Sequence, residues 1–67
     1  MIRTNGNKIR NAREIKGLTL AQLAEKVGKT APYISDIERG NRRGRYETLL
    51  RIADVLGLKV EEIREVA

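Results

Sequence analysis

Residues 18–40 read LTLAQLAEKVGKTAPYISDIERG, two short apolar-periodic segments with punctuation at each end. Thr19 followed three positions later by Gln22 matches a capping box, in which the threonine oxygen takes the glutamine amide and the glutamine reaches back. The spacing predicts helix 2 over about 20–27, burying Leu20 or Ala21, then Leu23, Ala24 and Val27, with Gly28 as its left-handed end. Thr30 is the N-cap expected for helix 3 over about 31–39, and Pro32 falls in its first turn, where a missing amide proton costs nothing. Ile34 and Ile37 supply the inward face and Gly40 the end. Only three or four residues separate the two helices. A connection that short does not suit an antiparallel pair but does suit a sharp crossing, the geometry of a helix-turn-helix.

Working outward, Ile9, Ala12 and Ile15 place an apolar side on helix 1, about 6–16, which Gly17 ends. Tyr46, Leu49, Leu50, Ile52, Ala53 and Leu56 predict an apolar helix 4 ended by Gly57, and Leu58, Val60, Ile63 and Val66 a short helix 5. The expected fold is all-α: one compact five-helix domain over 1–67, with no strands, no repeat and no linker.

At 67 residues there is room for one small domain, and there is no disulfide to help hold it together. The absence of cysteine and histidine removes thiolate chemistry, the usual zinc ligands and the commonest general base. The expectation is therefore no enzyme, no metal and no cofactor. Glu61, Glu62 and Glu65 read as solvated surface, since no loop of oxygen ligands accompanies them. Apolar runs are only a few residues long, and residues 1–20 lack the apolar centre of a secretory signal. The chain is expected to be cytoplasmic, with no membrane partner.

The net charge is +5, and it is unevenly spread. Residues 1–18 carry +4 and residues 41–51 carry +3, residues 19–40 balance to zero, and residues 52–67 carry −2. One end of the molecule should be basic, as a polyanionic partner requires. Charge runs are more often simply solvated surface, so charge alone does not select nucleic acid.

The run LTLAQLAEKVGKTAPYISDIERGNRRGRYETLLRIADVLGL, residues 18–58, together with IRNAREIKG at 9–17, resembles the Cro/C1-type helix-turn-helix family of phage and bacterial transcription regulators. The resemblance implies a lambda-repressor-like DNA-binding fold built on helices 2 and 3. It also implies a sequence-specific regulator of transcription, a repressor that binds a palindromic operator in double-stranded DNA as a homodimer. Helix 3 would lie in the major groove with Thr30, Ala31, Pro32, Ser35 and Asp36 toward the bases. Thr19 and Gln22, at the start of helix 2, and Lys29, Tyr33, Arg42, Arg43 and Arg45 would meet the DNA backbone. Tyr33 has an equal second reading as a half-buried ring packed beside helix 2. Asp36 has one as a surface partner of Lys29 or Arg39.

Arg13 and Glu38 match a family ion pair that joins helix 1 to helix 3. Gly44 stands where the family usually has proline, which implies a looser loop that orders on binding. Helix 5 is the expected dimer surface through Val60 and Val66, with Ile63 assigned to the core. The recognition helix offers no Arg, Lys, Asn or Gln at its exposed start, so sequence preference would rest partly on DNA shape. The alternative is a protein-interaction helix-turn-helix module, such as an antitoxin or a partner of the transcription machinery.

Overall fold

The computed structural model describes the backbone of residues 2–66 and the side chains of residues 3–65. The elements follow in the order β1 (Ile2–Thr4), α1 (Gly6–Ile15), α2 (Leu20–Val27), α3 (Ala31–Glu38), α4 (Tyr46–Leu56), α5 (Val60–Ile63) and β2 (Arg64–Val66). Side-chain caps set the starts of the first three helices. Asn5 accepts from the Lys8 amide at 3.0 Å and Thr30 from the Tyr33 amide at 3.3 Å. Thr19 and Gln22 form the full box, with Thr19 Oγ1 accepting from the Gln22 amide at 3.0 Å and Gln22 Oε1 from the Thr19 amide at 2.8 Å.

The core gathers one stripe from each helix. Ile9, Leu23, Ile34, Ile37, Ile52 and Ile63 are each 0% exposed. Burying each such side chain contributes about 1.5–3 kcal/mol, so this cluster is the main support of a chain this small. Leu20, rather than Ala21, is the half-buried residue at the start of α2.

Several expectations are corrected. The chain does contain strands, because β1 and β2 pair antiparallel with Ile2 opposite Val66, Arg3 opposite Glu65 and Thr4 opposite Arg64. Helix 5 is one turn only: beyond Ile63 the chain is extended, with Arg64 at φ −115 and ψ 104, because it turns back to pair with β1. Ile15, expected on the inner side of α1, is 86% exposed, since at about 100° per residue it lies about 120° round the helix from Ile9, while Ala12 and Arg13 keep to the inner side. Tyr46 and Leu50 stand at 47% and 42% exposure while Leu49, Ile52, Ala53 and Leu56 carry the buried stripe of α4.

Val60, expected at a dimer surface, is 9% exposed and belongs to the core cluster, so this chain already covers most of it. The side chain of Val66 lies outside the described residues.

One close approach positions the recognition unit. Gly6, the first residue of α1, is buried against the end of α3, and a Cβ built there would overlap the carbonyl oxygens of Ile37 and Glu38. Only glycine lets the two helices come that near.

Candidate nucleic-acid interface

The turn between α2 and α3 is three residues long and depends on Gly28, whose φ of 72 places it in the left-handed region. The Lys29 amide bonds back to the Ala24 carbonyl at 2.9 Å, so the chain turns sharply and Thr30 starts α3 at once. With Ile34, Ile37 and Glu38 facing inward, α3 presents Thr30 and Pro32 to solvent and leaves Ala31, Tyr33, Ser35 and Asp36 partly open. Ala31, Pro32, Ser35 and Asp36 are spaced to share one helix face. Tyr33 is half-buried and packs against the core, as its scaffold reading expects, yet its ring also meets two cations.

Arg13 locks this unit to the scaffold. Its Nε donates to Glu38 Oε2 at 2.8 Å, Nη2 to Glu38 Oε1 at 3.2 Å, and Nη1 to the Leu18 carbonyl at 2.8 Å. One guanidinium thereby ties α1, the end of α3 and the segment entering α2. The side chains are 12% and 5% exposed, so this is a nearly buried, bidentate pair. Hydrogen bonding to Glu38 raises the pKa of the Arg13 guanidinium, outweighing the opposing effect of burial.

Beyond α3 the chain crosses to α4 through an arginine-rich loop. The Asp36 carbonyl accepts from the amides of Asn41 and Arg42, at 2.8 and 3.2 Å. The guanidinium of Arg42 lies 5.0 Å from the Tyr33 ring centroid, with Lys29 Nζ on the same ring at 5.6 Å. Gly44 has φ 82, a conformation proline cannot adopt. A Cβ at Gly44 would lie 3.1 Å from Ile37 Cδ1 and 3.3 Å from Leu49 Cδ2, so the loop main chain rests directly on the core.

Lys29, Thr30, Tyr33, Arg42, Arg43 and Arg45 line one open cleft beside the exposed start of α3. Among the described residues the ion pairs are Lys8–Glu62, Arg10–Glu14 and Arg13–Glu38, and none involves Lys29, Arg42, Arg43 or Arg45. Asp36 pairs with neither Lys29 nor Arg39. The cleft thus holds cations that have no ion-pair partner among the described residues, beside the start of α3. In the capping box, the Thr19 hydroxyl proton and the Gln22 amide protons remain available to a phosphate, because both side chains use only their oxygens as acceptors there.

Arg10, and Arg39, which the sequence offered only as a partner for Asp36, line a second cleft with Ser35 between α1 and α3. Arg10 looks like half of an ordinary helix pair with Glu14, at 3.4 Å, and Arg39 like a helix end, so neither gives a distinctive local signal.

Two capped helices crossing through a left-handed glycine, with a basic loop at the exit of the second, define a helix-turn-helix module. The chain belongs to the Cro/C1-type helix-turn-helix family, whose model, described as Helix-turn-helix, matches residues 9–63. It is 38% identical over 60 residues to the immunity repressor of Bacillus phage phi105, covering 90% of this chain and 42% of that repressor. The chain spans about two fifths of the length of such curated relatives.

Among solved structures it is similar to the biofilm regulator SinR of Bacillus subtilis bound to DNA, with TM-score 0.75 and 36% identity over 82% of this chain and 89% of the crystallised chain. SinR is also seen in a complex with the SinI protein. The P22 c2 repressor bound to a synthetic operator superposes with TM-score 0.83 at 27% identity, covering 88% of this chain and 89% of the crystallised chain. These relatives and neighbours are DNA-binding regulators of transcription.

Proposed function

We propose that this chain is a sequence-specific, double-stranded DNA-binding repressor of cytoplasmic DNA, acting as a homodimer on a two-fold symmetric operator with α3 in the major groove. The observation that carries the reading is the cluster of unpaired cations, Lys29, Arg42, Arg43 and Arg45, beside the exposed start of α3. Such a cluster binds a phosphate backbone by displacing its counterions. The names of the phi105 and P22 relatives support repression.

In this reading Thr19 and Gln22 hold one strand at the start of α2, and Lys29, Tyr33 and the three loop arginines hold the other side of the groove. Ala31 and the Thr30 methyl meet thymine methyls, Ser35 bonds a base edge and Asp36 accepts from a cytosine amino group, with Pro32 packing between them. These are few and weak readers, so the deformability of the site supplies part of the preference.

The test is selection from random duplex DNA with the purified chain. Enrichment of an inverted repeat is the expected result. A second reading, a protein-binding module on the same scaffold, is favoured by the sparse base-reading face and by the SinR–SinI association. No enrichment, together with duplex binding that is indifferent to salt, would replace the first reading with the second.

A further inference from the structure

The arginine loop is held from outside by the two strands that the sequence did not announce. The Thr4 hydroxyl, at the end of β1, donates to the Arg43 carbonyl across 39 positions of sequence. In β2 the guanidinium of Arg64 lies 4.7 Å from the ring centroid of Tyr46, the first residue of α4 and the residue immediately after the loop. Thr4 and Arg64 are themselves cross-strand partners. The ribbon is tied to the body by the Asn5 amide, which donates to the Ile63 carbonyl at 2.7 Å, so it has a fixed place from which to hold the loop. On the inner side, Gly44 rests on Ile37 and Leu49 and Arg42 on Tyr33. The loop is gripped between core and ribbon.

We propose that the terminal ribbon is a latch that presets the arginine loop for its partner, with Thr4 and Arg64 as positioning residues that touch the loop and its exit but need not touch the partner. This rests on the DNA-binding reading. A loop already held in its bound path loses less conformational freedom on association, so the latch raises affinity without adding a contact. It leaves the number of phosphates neutralised unchanged, and therefore the salt slope unchanged.

The experiment compares the unaltered chain with Thr4→Val, Thr4→Ser and Arg64→Gln. Amide hydrogen exchange across residues 41–45 is followed in the free protein, and a labelled random-sequence duplex is titrated over a salt series. Thr4→Val, which keeps the shape and removes the donor, should speed exchange in the loop and weaken duplex binding about fivefold, with the slope against salt unchanged. Thr4→Ser should restore both.

Arg64→Gln loosens the same loop from the other strand and serves if Thr4→Val proves too unstable to compare. Wild-type affinity in a variant whose loop has loosened overturns the proposal, as does unchanged loop exchange in a folded variant. If the unaltered chain shows no salt-dependent duplex binding, the DNA reading fails separately, and loop exchange in the free protein still decides whether the latch exists.

Discussion

Arg13 shows how much one side chain can hold. It satisfies both oxygens of a carboxylate buried to 5% exposure and a main-chain carbonyl besides. Arg13→Ala strands the Glu38 charge and should cost about 3 kcal/mol, read as a lowered denaturant midpoint. Replacing both partners, Arg13→Met with Glu38→Leu, should recover part of that loss but not all, because the Leu18 carbonyl still loses its donor. A guanidinium whose pKa is raised on folding contributes stability that is complete below its ordinary value and lost only as pH rises through the raised one. The Arg13 titration should accordingly leave stability flat across neutral pH and lower it at the alkaline extreme.

Arg42 and Arg43 belong to the other kind of residue, exposed and without an ion-pair partner among the described residues. Arg42→Ala should reduce the slope of log affinity against log salt by about 1 if it meets a phosphate. A variant with the same slope as the parent would remove Arg42 from the backbone contacts.

Among the elements, the helices were legible because each carries local punctuation. Thr19 with Gln22, Thr30 with Pro32, and the glycines at 28 and 57 act within a few residues of themselves, so a linear reading finds them. The strands were not legible. Each is three residues long, too short to display an alternation, and Val60, Ile63 and Val66 recur at a helical spacing that the chain abandons after Ile63. The charge of the arginine loop could be read directly, whereas its anchor at Thr4 could not, since nothing near Arg43 in sequence points 39 positions back.

The same blindness hid Gly6, which looks like a permissive helix start. Its Cα sits where α1 meets the end of α3, so Gly6→Ala should overpack that contact and destabilise by about 2 kcal/mol, seen in thermal unfolding. The variant should also shift the amide resonances of α3 rather than those of α4. If Gly6→Ala is as stable as the parent, the approach of the two helices is looser than described.

The whole molecule measures 30 × 21 × 18 Å. Adjacent half-sites read from one face of DNA lie about 34 Å apart, one helical turn. Two copies laid end to end, with their longest dimensions along the duplex, would have centres 30 Å apart and would meet only at their tips. Dimerisation is therefore expected to be weak in solution and strengthened by DNA, with the two halves of a selected site centred about 10 base pairs apart. Sedimentation at rising concentration, with and without the selected duplex, measures this, and a tight dimer without DNA would contradict it.

The pairing of Ile2 with Val66 has a topological consequence. Cross-strand neighbours in an antiparallel ladder stand about 5 Å apart, so the described chain is almost a closed ring. A few added residues should seal it into a cyclic backbone without disturbing any helix, and the circle could then be cut anew at an exposed bend such as Lys16–Gly17. Sealing should raise the midpoint of thermal unfolding by restricting the unfolded chain, and recutting should give a permuted protein with the same elements joined in a different order.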